Sequence, residues 1–235
     1  MSKLVKKAER ACALLAEKYG REIPEWADKP KNLISSLVQV ILSQNTSDRN
    51  SLHAYKKLVA KYPTWAKVMV ANTRSIEETI REGGLAKTKA NRIKETLQEI
   101  KRREGKLSLD VLKKMTPAQA HEYLTSIKGT GPKTAAVVLS FSLGQPFFPV
   151  DTHIYRVARR IGFYGEKVSR EKAHVVMDVL VRDEEKQNCH INMISLGREI
   201  CTARNPACGD CPLLKICDYG NKRGYREWLN RKKAQ

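Results

Sequence analysis

Cys201, Cys208, Cys211 and Cys217 lie within seventeen residues, at C-x6-C-x2-C-x5-C spacing. A loop with four thiols so close together has few ways to fold except around a shared centre. Thiolates are soft ligands, and the two natural occupants are a zinc ion and a [4Fe–4S] cluster. Zinc sites commonly use two short C-x2-C pairs, and here only Cys208 and Cys211 form one. The spacing therefore favours the cluster. Disulfide pairing is the plain alternative. Against it, Cys12 and Cys189 are far apart in sequence and complete no framework spacing, so the cysteine usage reads as that of a chain in a reducing cytoplasm.

A chain of 235 residues has room for one large domain or two modest ones. No apolar run approaches the ~20 residues of a membrane span. The segment Met1–Lys7 is charged and lacks the apolar centre of a secretory signal. The expectation is a cytoplasmic protein with no membrane contact. Forty-four Lys and Arg face twenty-five Asp and Glu, a net charge of +19. Such an excess points to a polyanionic partner, nucleic acid first, held through counterion release. A basic surface that binds nothing is the alternative.

Helical periodicity runs through the chain. Residues 2–19 place Leu4, Ala8, Ala11, Leu14 and Leu15 on one face and stop at Gly20. Residues 31–42 repeat Leu33, Leu37, Val40 and Ile41, and residues 47–60 start at a Ser47 cap and carry Leu52, Tyr55 and Leu58. Further helices are expected at 74–81, 87–104, 116–124, 133–142, 152–161, 169–182 and 187–202. Thr116-Pro117 is a capping hydroxyl before a first-turn proline; Ser169 and Lys87-Thr88 open two others. Strand-type alternation is nearly absent, so the chain reads as all-α. Gly144–Pro149 breaks the pattern and is the best domain boundary; Glu22–Trp26 is a second break. The basic tail Lys222–Gln235 reads as partly mobile.

Between two helical patterns lies Ile127-Lys128-Gly129-Thr130-Gly131-Pro132-Lys133-Thr134-Ala135. Gly129 and Gly131 predict a tight hairpin with exposed backbone N–H groups, followed by the free N–H groups of a helix start. Together these would cradle one phosphate. A G-x-G before a helix is weak by itself. Followed by Pro-Lys-Thr-Ala and the apolar Val137-Val138-Leu139, it reads as a helix–hairpin–helix that grips the DNA backbone without reading sequence.

The hairpin with Lys133, the Val150-Asp151-Thr152-His153 segment with Asp151 eighteen residues after that lysine, and the four terminal cysteines occur in this order. In this the chain resembles the endonuclease III family of DNA glycosylases, from about residue 30 to Cys217. The resemblance implies two helical domains with a cleft between them: a six-helix domain over 27–144 that contains the hairpin, and a [4Fe–4S] cluster domain built from 1–26 and 145–235. It implies a monomeric, nucleoid-associated enzyme acting on double-stranded DNA with damaged bases or abasic sites. Two departures stand out. Lys128 replaces the family's usual proline before the first hairpin glycine, and Thr130 replaces the usual apolar residue between the glycines.

The resemblance also assigns roles. Lys133 is the amine nucleophile and Asp151 the essential carboxylate. Taken alone, Lys133 would be a solvated surface charge and Asp151 a helix N-cap. A fixed carboxylate stabilises the oxocarbenium-like charge that develops at C1′ as the base leaves. A neutral amine attacks C1′ to form a Schiff base, and β-elimination then cuts the strand on the 3′ side. Freeing an unshifted lysine of its proton costs roughly 5 kcal/mol at pH 7.

A glycosylase must also extrude its target and fill the gap. Leu42–Asp48 matches the family's first intruding loop and Gly83–Ala90 the second. Gln44 or Asn45 is expected to fill the duplex, with Leu85 as the wedge opposite; core packing is the alternative for Leu85. Lys128, Gly129, Gly131 and Thr134 complete the expected DNA contacts. The cluster is expected to fold a loop rather than catalyse, because four thiolates leave no open ligand position.

The function this implies is a bifunctional glycosylase and abasic-site lyase acting on oxidised or damaged pyrimidines. A mismatch glycosylase removing uracil, thymine or adenine is a second reading. Gln39 stands where adenine-specific relatives carry glutamate, and Lys133 argues for lyase activity. A non-catalytic iron–sulfur DNA-binding module is the third.

Overall fold

The computed structural model describes residues 2–22 and 32–233. All regular structure among them is helical, as the periodicity predicts. The chain divides into two compact units, Pro24–Gln145 and a discontinuous one made of Met1–Ile23 with Pro146–Gln235.

The continuous unit contains α2 (Leu33–Ser43), α3 (Asp48–Lys61), α4 (Trp65–Val70), α5 (Thr73–Thr79), α6 (Ala86–Glu104), α7 (Pro117–Thr125) and α8 (Pro132–Leu143). These are seven α-helices among the described residues, where six were expected. The addition, α4, spans six residues, too few to show a helical period in sequence. Helix α2 is apolar nearly all round and buries Leu37, Ile41 and Leu42 completely. It packs against α3, α6 and α8, which explains why no polar stripe interrupts it.

Local chemistry sets the helix ends. The Ser47 hydroxyl accepts from Asn50 N–H at 3.3 Å. Thr116 and Gln119 form a reciprocal capping box with Pro117 in the first turn. Helix α6 departs from expectation: it opens at Ala86, not at Lys87-Thr88, with Leu85 in the cap position and no side-chain cap.

The discontinuous unit contains α1 (Lys3–Tyr19), α9 (Thr152–Ile161), α10 (Arg170–Leu180), α11 (Lys186–Glu199) and α12 (Tyr225–Lys233). Helix α11 packs against both α1 and α9. Ala8, Ala11 and Leu15 form the buried stripe of α1, and Phe148, Ile154 and Val157 are fully buried. Ser169 caps α10 through Lys172 N–H at 3.3 Å. Helix α12 forms in the basic tail, where no helix was expected. The break at Glu22–Trp26 and the 26/27 boundary fall, beyond Glu22, outside the described residues.

Cys12 and Cys189 form a disulfide between α1 and α11, with their Cα atoms 5.2 Å apart. This corrects the reading of two unrelated thiols. A separation of 177 residues hides the pairing in sequence, whereas packing of α1 on α11 brings the residues together. No helix among the described residues is long and apolar enough to cross a membrane.

Candidate active site

The hairpin between α7 and α8 has the geometry its glycines predict. Thr130 N–H bonds to the Ile127 carbonyl at 3.0 Å, closing a four-residue turn. Gly129, third in that turn, has φ +91°, a conformation that strongly favours glycine. A Cβ at Gly129 would lie 2.7 Å from Cγ of Arg92. Gly131 differs: its φ is −84° and a Cβ there would meet nothing within 4 Å. Its lack of a side chain leaves open space in front of the helix start. Gly131 caps α8 without a side-chain bond and Pro132 follows, so the first-turn N–H groups have no intrahelical acceptor.

Lys133 lies in that first turn, exposed, and makes no hydrogen bond or ion pair with the described residues. Lys128 is also exposed and pairs with Glu95 at 3.1 Å. Thr134 is 4% exposed, and its hydroxyl accepts from Gln44 Nε2 at 3.1 Å. The Thr134 hydroxyl is thus tied to Gln44 within this unit.

Gln44 ends α2, and both ends of its amide are engaged. Its Nε2 donates to Thr134, and its Oε1 accepts from Arg92. Asn45 is exposed and has φ +52°. Leu85 is 58% exposed with φ +50°, which removes core packing as its explanation. Asn45 and Leu85 are the only non-glycine residues with positive φ among those described. Each such residue carries strain on the order of 1–2 kcal/mol.

Asp151 belongs to the discontinuous unit. It caps α9, its Oδ1 accepting from Ile154 N–H at 2.7 Å. The carboxylate therefore sits at the positive end of a helix.

The cysteine loop follows α11 in the same unit. Two arginines from α9 hold its start. Arg160 donates to the carbonyls of Thr202 at 2.6 Å and Ala203 at 2.9 Å, and to Cys201 Sγ at 3.4 Å. Arg156 Nε donates to the Cys201 carbonyl at 2.9 Å. At the far end, Gly220 N–H donates to Cys217 Sγ at 3.3 Å. Gly224 packs so tightly that a Cβ would lie 2.6 Å from Cys208 Sγ.

All four cysteines of the loop are unpaired. Burial, then the neighbouring thiols, pushes Cys208 up to about 11. Burial likewise pushes Cys211 up to about 12, with Cys201, Cys217 and Cys208 adding to the effect. Crowded thiols of this kind need a positive centre before they ionise together. Four mutually interacting thiols on one short loop suit such a shared centre.

Sequence reasoning missed Lys89, Arg92, Arg156 and Arg160. Only Lys89 left a trace: it lies on the stripe of Ile93 and Leu97 at intervals of four, where a solvated lysine does not belong.

The sequence matches the HhH-GPD superfamily of base excision DNA repair proteins over residues 38–182. Residues 201–217 match the iron-sulfur binding domain of endonuclease III, from the first loop cysteine to the last. Endonuclease III of Sulfolobus acidocaldarius is 32% identical over 193 residues, covering 81% of this chain and 84% of that protein. A putative DNA glycosylase of Arabidopsis thaliana is 34% identical, covering 80% of this chain and 67% of the plant protein. Among solved structures, a non-covalent endonuclease III–DNA complex superposes with a TM-score of 0.80 at 28% identity, over 95% of this chain and 99% of that one. The chain belongs to the HhH-GPD superfamily of base-excision repair proteins, within its endonuclease III branch. It is a DNA glycosylase, and it carries an iron–sulfur cluster.

Proposed function

We propose that the protein removes oxidised or damaged pyrimidines from duplex DNA and then cleaves the abasic site by β-elimination. One observation carries the lyase half: Lys133 is an exposed amine in the first turn of α8, two residues beyond the hairpin glycine that opens the helix.

The hairpin offers its backbone N–H groups at Gly129 and Gly131 to a phosphate, with Lys128 adding charge. Asn45 and Leu85 enter the duplex from their two loops. Gln44, whose amide is already engaged, supports the first loop from behind. The Asp151 carboxylate stabilises positive charge at C1′ as the glycosidic bond breaks and the base leaves with the bonding electrons. The unprotonated Lys133 amine supplies the pair that forms the new C1′–N bond. The nitrogen then loses a proton and the C1′–O4′ bond breaks, its electrons going to O4′, which is protonated; the sugar opens to an imine whose C2′ proton is acidic. Its loss expels the 3′ phosphate, and hydrolysis returns the free lysine.

Cys201, Cys208, Cys211 and Cys217 hold the cluster, read as [4Fe–4S], which organises the loop through which residues 201–217 run. Saturated coordination leaves it no part in hydrolysis. Arg156 and Arg160 fasten the loop to α9. The purified protein is expected to be brown, with absorbance at about 400 nm and iron rather than zinc. We read it as an intracellular monomer on DNA, with one domain spanning about 27–144 and the cluster domain formed by the remainder.

The decisive test is borohydride trapping on a duplex with one abasic site. A covalent adduct, lost in Lys133→Ala, is expected. Tight, salt-sensitive binding without an adduct would instead overturn the lyase half of the reading. A panel of thymine glycol, uracil, oxidised guanine and mismatched duplexes separates the pyrimidine-damage reading from mismatch repair. Excision confined to mismatches would overturn the former.

A further inference from the structure

Lys89 is buried, only 2% exposed, and lies in the first turn of α6. Its ammonium donates two hydrogen bonds of 2.7 Å, one to the Leu42 carbonyl and one to the Gly83 carbonyl. Those acceptors belong to different segments. Leu42 lies in the last turn of α2, three residues before Asn45. Gly83 closes a 3-10 turn, Arg81–Gly83, two residues before Leu85. Both are carbonyls at helix C-terminal ends, where the backbone lacks intrahelical donors and its dipole favours a cation. The backbone of the same residue adds a third hold, because Lys89 N–H donates to the Leu85 carbonyl at 3.0 Å.

The two loops are neighbours. A Cβ at Gly84 would lie 4.0 Å from Thr46 Oγ1. Each loop carries one of the two left-handed non-glycine residues, and each of these is exposed. Neither conformation is favoured locally, so the surrounding structure must impose it. One turn along α6, Arg92 extends the same support to the hairpin: it bonds Gln44 Oε1 and lies against Gly129.

We propose that Lys89 is a positioning residue that locks the Asn45 loop and the Leu85 loop into one rigid probe for base extrusion. This rests on the glycosylase reading above and deepens it. A buried cation is chosen over an apolar side chain because two orphan carbonyls from separate segments must be satisfied by one group. An ammonium has three donors on a single atom and can meet both. Pre-setting the loops lowers what duplex entry must order, and binding energy is then available for unstacking the target.

The test compares Lys89→Met and Lys89→Gln with the wild type, using the full chain. Hydrogen exchange reads the loops directly. In Lys89→Met, amides of residues 44–47 and 84–86 are expected to exchange about 10-fold faster or more, with the hairpin 127–131 unchanged. On a duplex with 2-aminopurine beside thymine glycol, the extrusion signal should fall by about half or more, and single-turnover excision should slow about 10-fold. Affinity for undamaged duplex should stay within about 2-fold, since the hairpin phosphate contacts remain. The glutamine variant keeps an amide donor and should fall between. If the methionine variant does not fold, the glutamine variant carries the same comparison.

Unchanged exchange in both loops overturns the proposal. So does exchange that quickens equally throughout Pro24–Gln145, or a variant that extrudes and excises like the wild type. Should the wild type excise no lesion, the glycosylase reading falls, and loop exchange alone decides the role of Lys89.

Discussion

Arg92 lies against the bare Cα of Gly129, so that a single methyl group there would come within 2.7 Å of the arginine Cγ. The arginine is also bound to Gln44 and cannot swing away without releasing that residue. Helix α6 thus touches the hairpin and the first loop through one side chain.

Gly129→Ala and Gly131→Ala should therefore fail differently. The first meets both positive φ and Arg92; it should lose about 1–2 kcal/mol of stability and about 10-fold in affinity for undamaged duplex. Gly131→Ala meets no strain or clash, so its stability should change by less than about 0.5 kcal/mol. Its methyl group nevertheless occupies the approach to the helix start and should weaken duplex binding. Urea unfolding and fluorescence anisotropy at fixed salt measure the pair; equal stability losses would contradict the hairpin geometry.

Asp151 is a cap as well as the proposed catalytic carboxylate, and two substitutions separate these roles. Asparagine caps nearly as well as aspartate, so Asp151→Asn should remain within about 0.5 kcal/mol of the wild type. Its excision rate should drop at least about 100-fold, because the neutral amide cannot balance charge at C1′. Asp151→Ala should lose about 1 kcal/mol in addition. Single-turnover kinetics that leave the asparagine variant at wild-type speed would reduce Asp151 to its structural role.

The Cys12–Cys189 bond closes a long loop. In the chain-entropy picture it stabilises by about 2–5 kcal/mol. Replacing both residues by alanine should lower Tm by several degrees while the iron content and absorbance of the cluster stay constant. Calorimetry with parallel iron analysis checks this. A double variant with unaltered Tm would mean that packing of α1 on α11 suffices.

Lys89 gives a pH signature. Burial lowers its ammonium to about 8 in the folded protein, against about 10.4 when unfolded. Below pH 8 both states hold the proton, and the folded state carries the full desolvation penalty. Between pH 8 and about 10.4 the folded state releases the proton first, the unfolded state binds more, and stability contributed by this group rises with pH. The rise is roughly 3 kcal/mol. The stability difference between wild type and Lys89→Met, measured at pH 7 and pH 10, should shift by that order in favour of the wild type. A constant difference would show that Lys89 keeps its proton throughout. Removing the ammonium also orphans two carbonyls, at about 1–3 kcal/mol each, so the variant is not expected to be more stable at pH 7.

Much of the architecture was legible because helices of about nine residues or more show their period and their caps. Ser47, Thr116, Asp151 and Ser169 all cap where the hydroxyl or carboxylate precedes an apolar stripe. Helix α4 was too short to show a period, and α12 was hidden by its charge. Of the site, the cysteine loop and the glycine hairpin declare themselves locally. The ties that hold the hairpin from behind do not. Gln44 and Thr134 are 90 residues apart, and their bond exists only because α2 packs on α8. In sequence Lys89 is one lysine among many, although Ile93 and Leu97 at intervals of four mark its face as the buried one.

The discontinuous unit also orders events during synthesis. Helix α1 leaves the ribosome before its partner α11, which follows only after the whole inserted unit, Pro24–Gln145, has been made. Until then Ala8, Ala11 and Leu15 have no native surface to cover them, while the inserted unit is free to fold by itself. The nascent chain must therefore shelter one sticky helix while the whole inserted unit is made, and Cys12 finds its sulfur partner only once α11 has emerged.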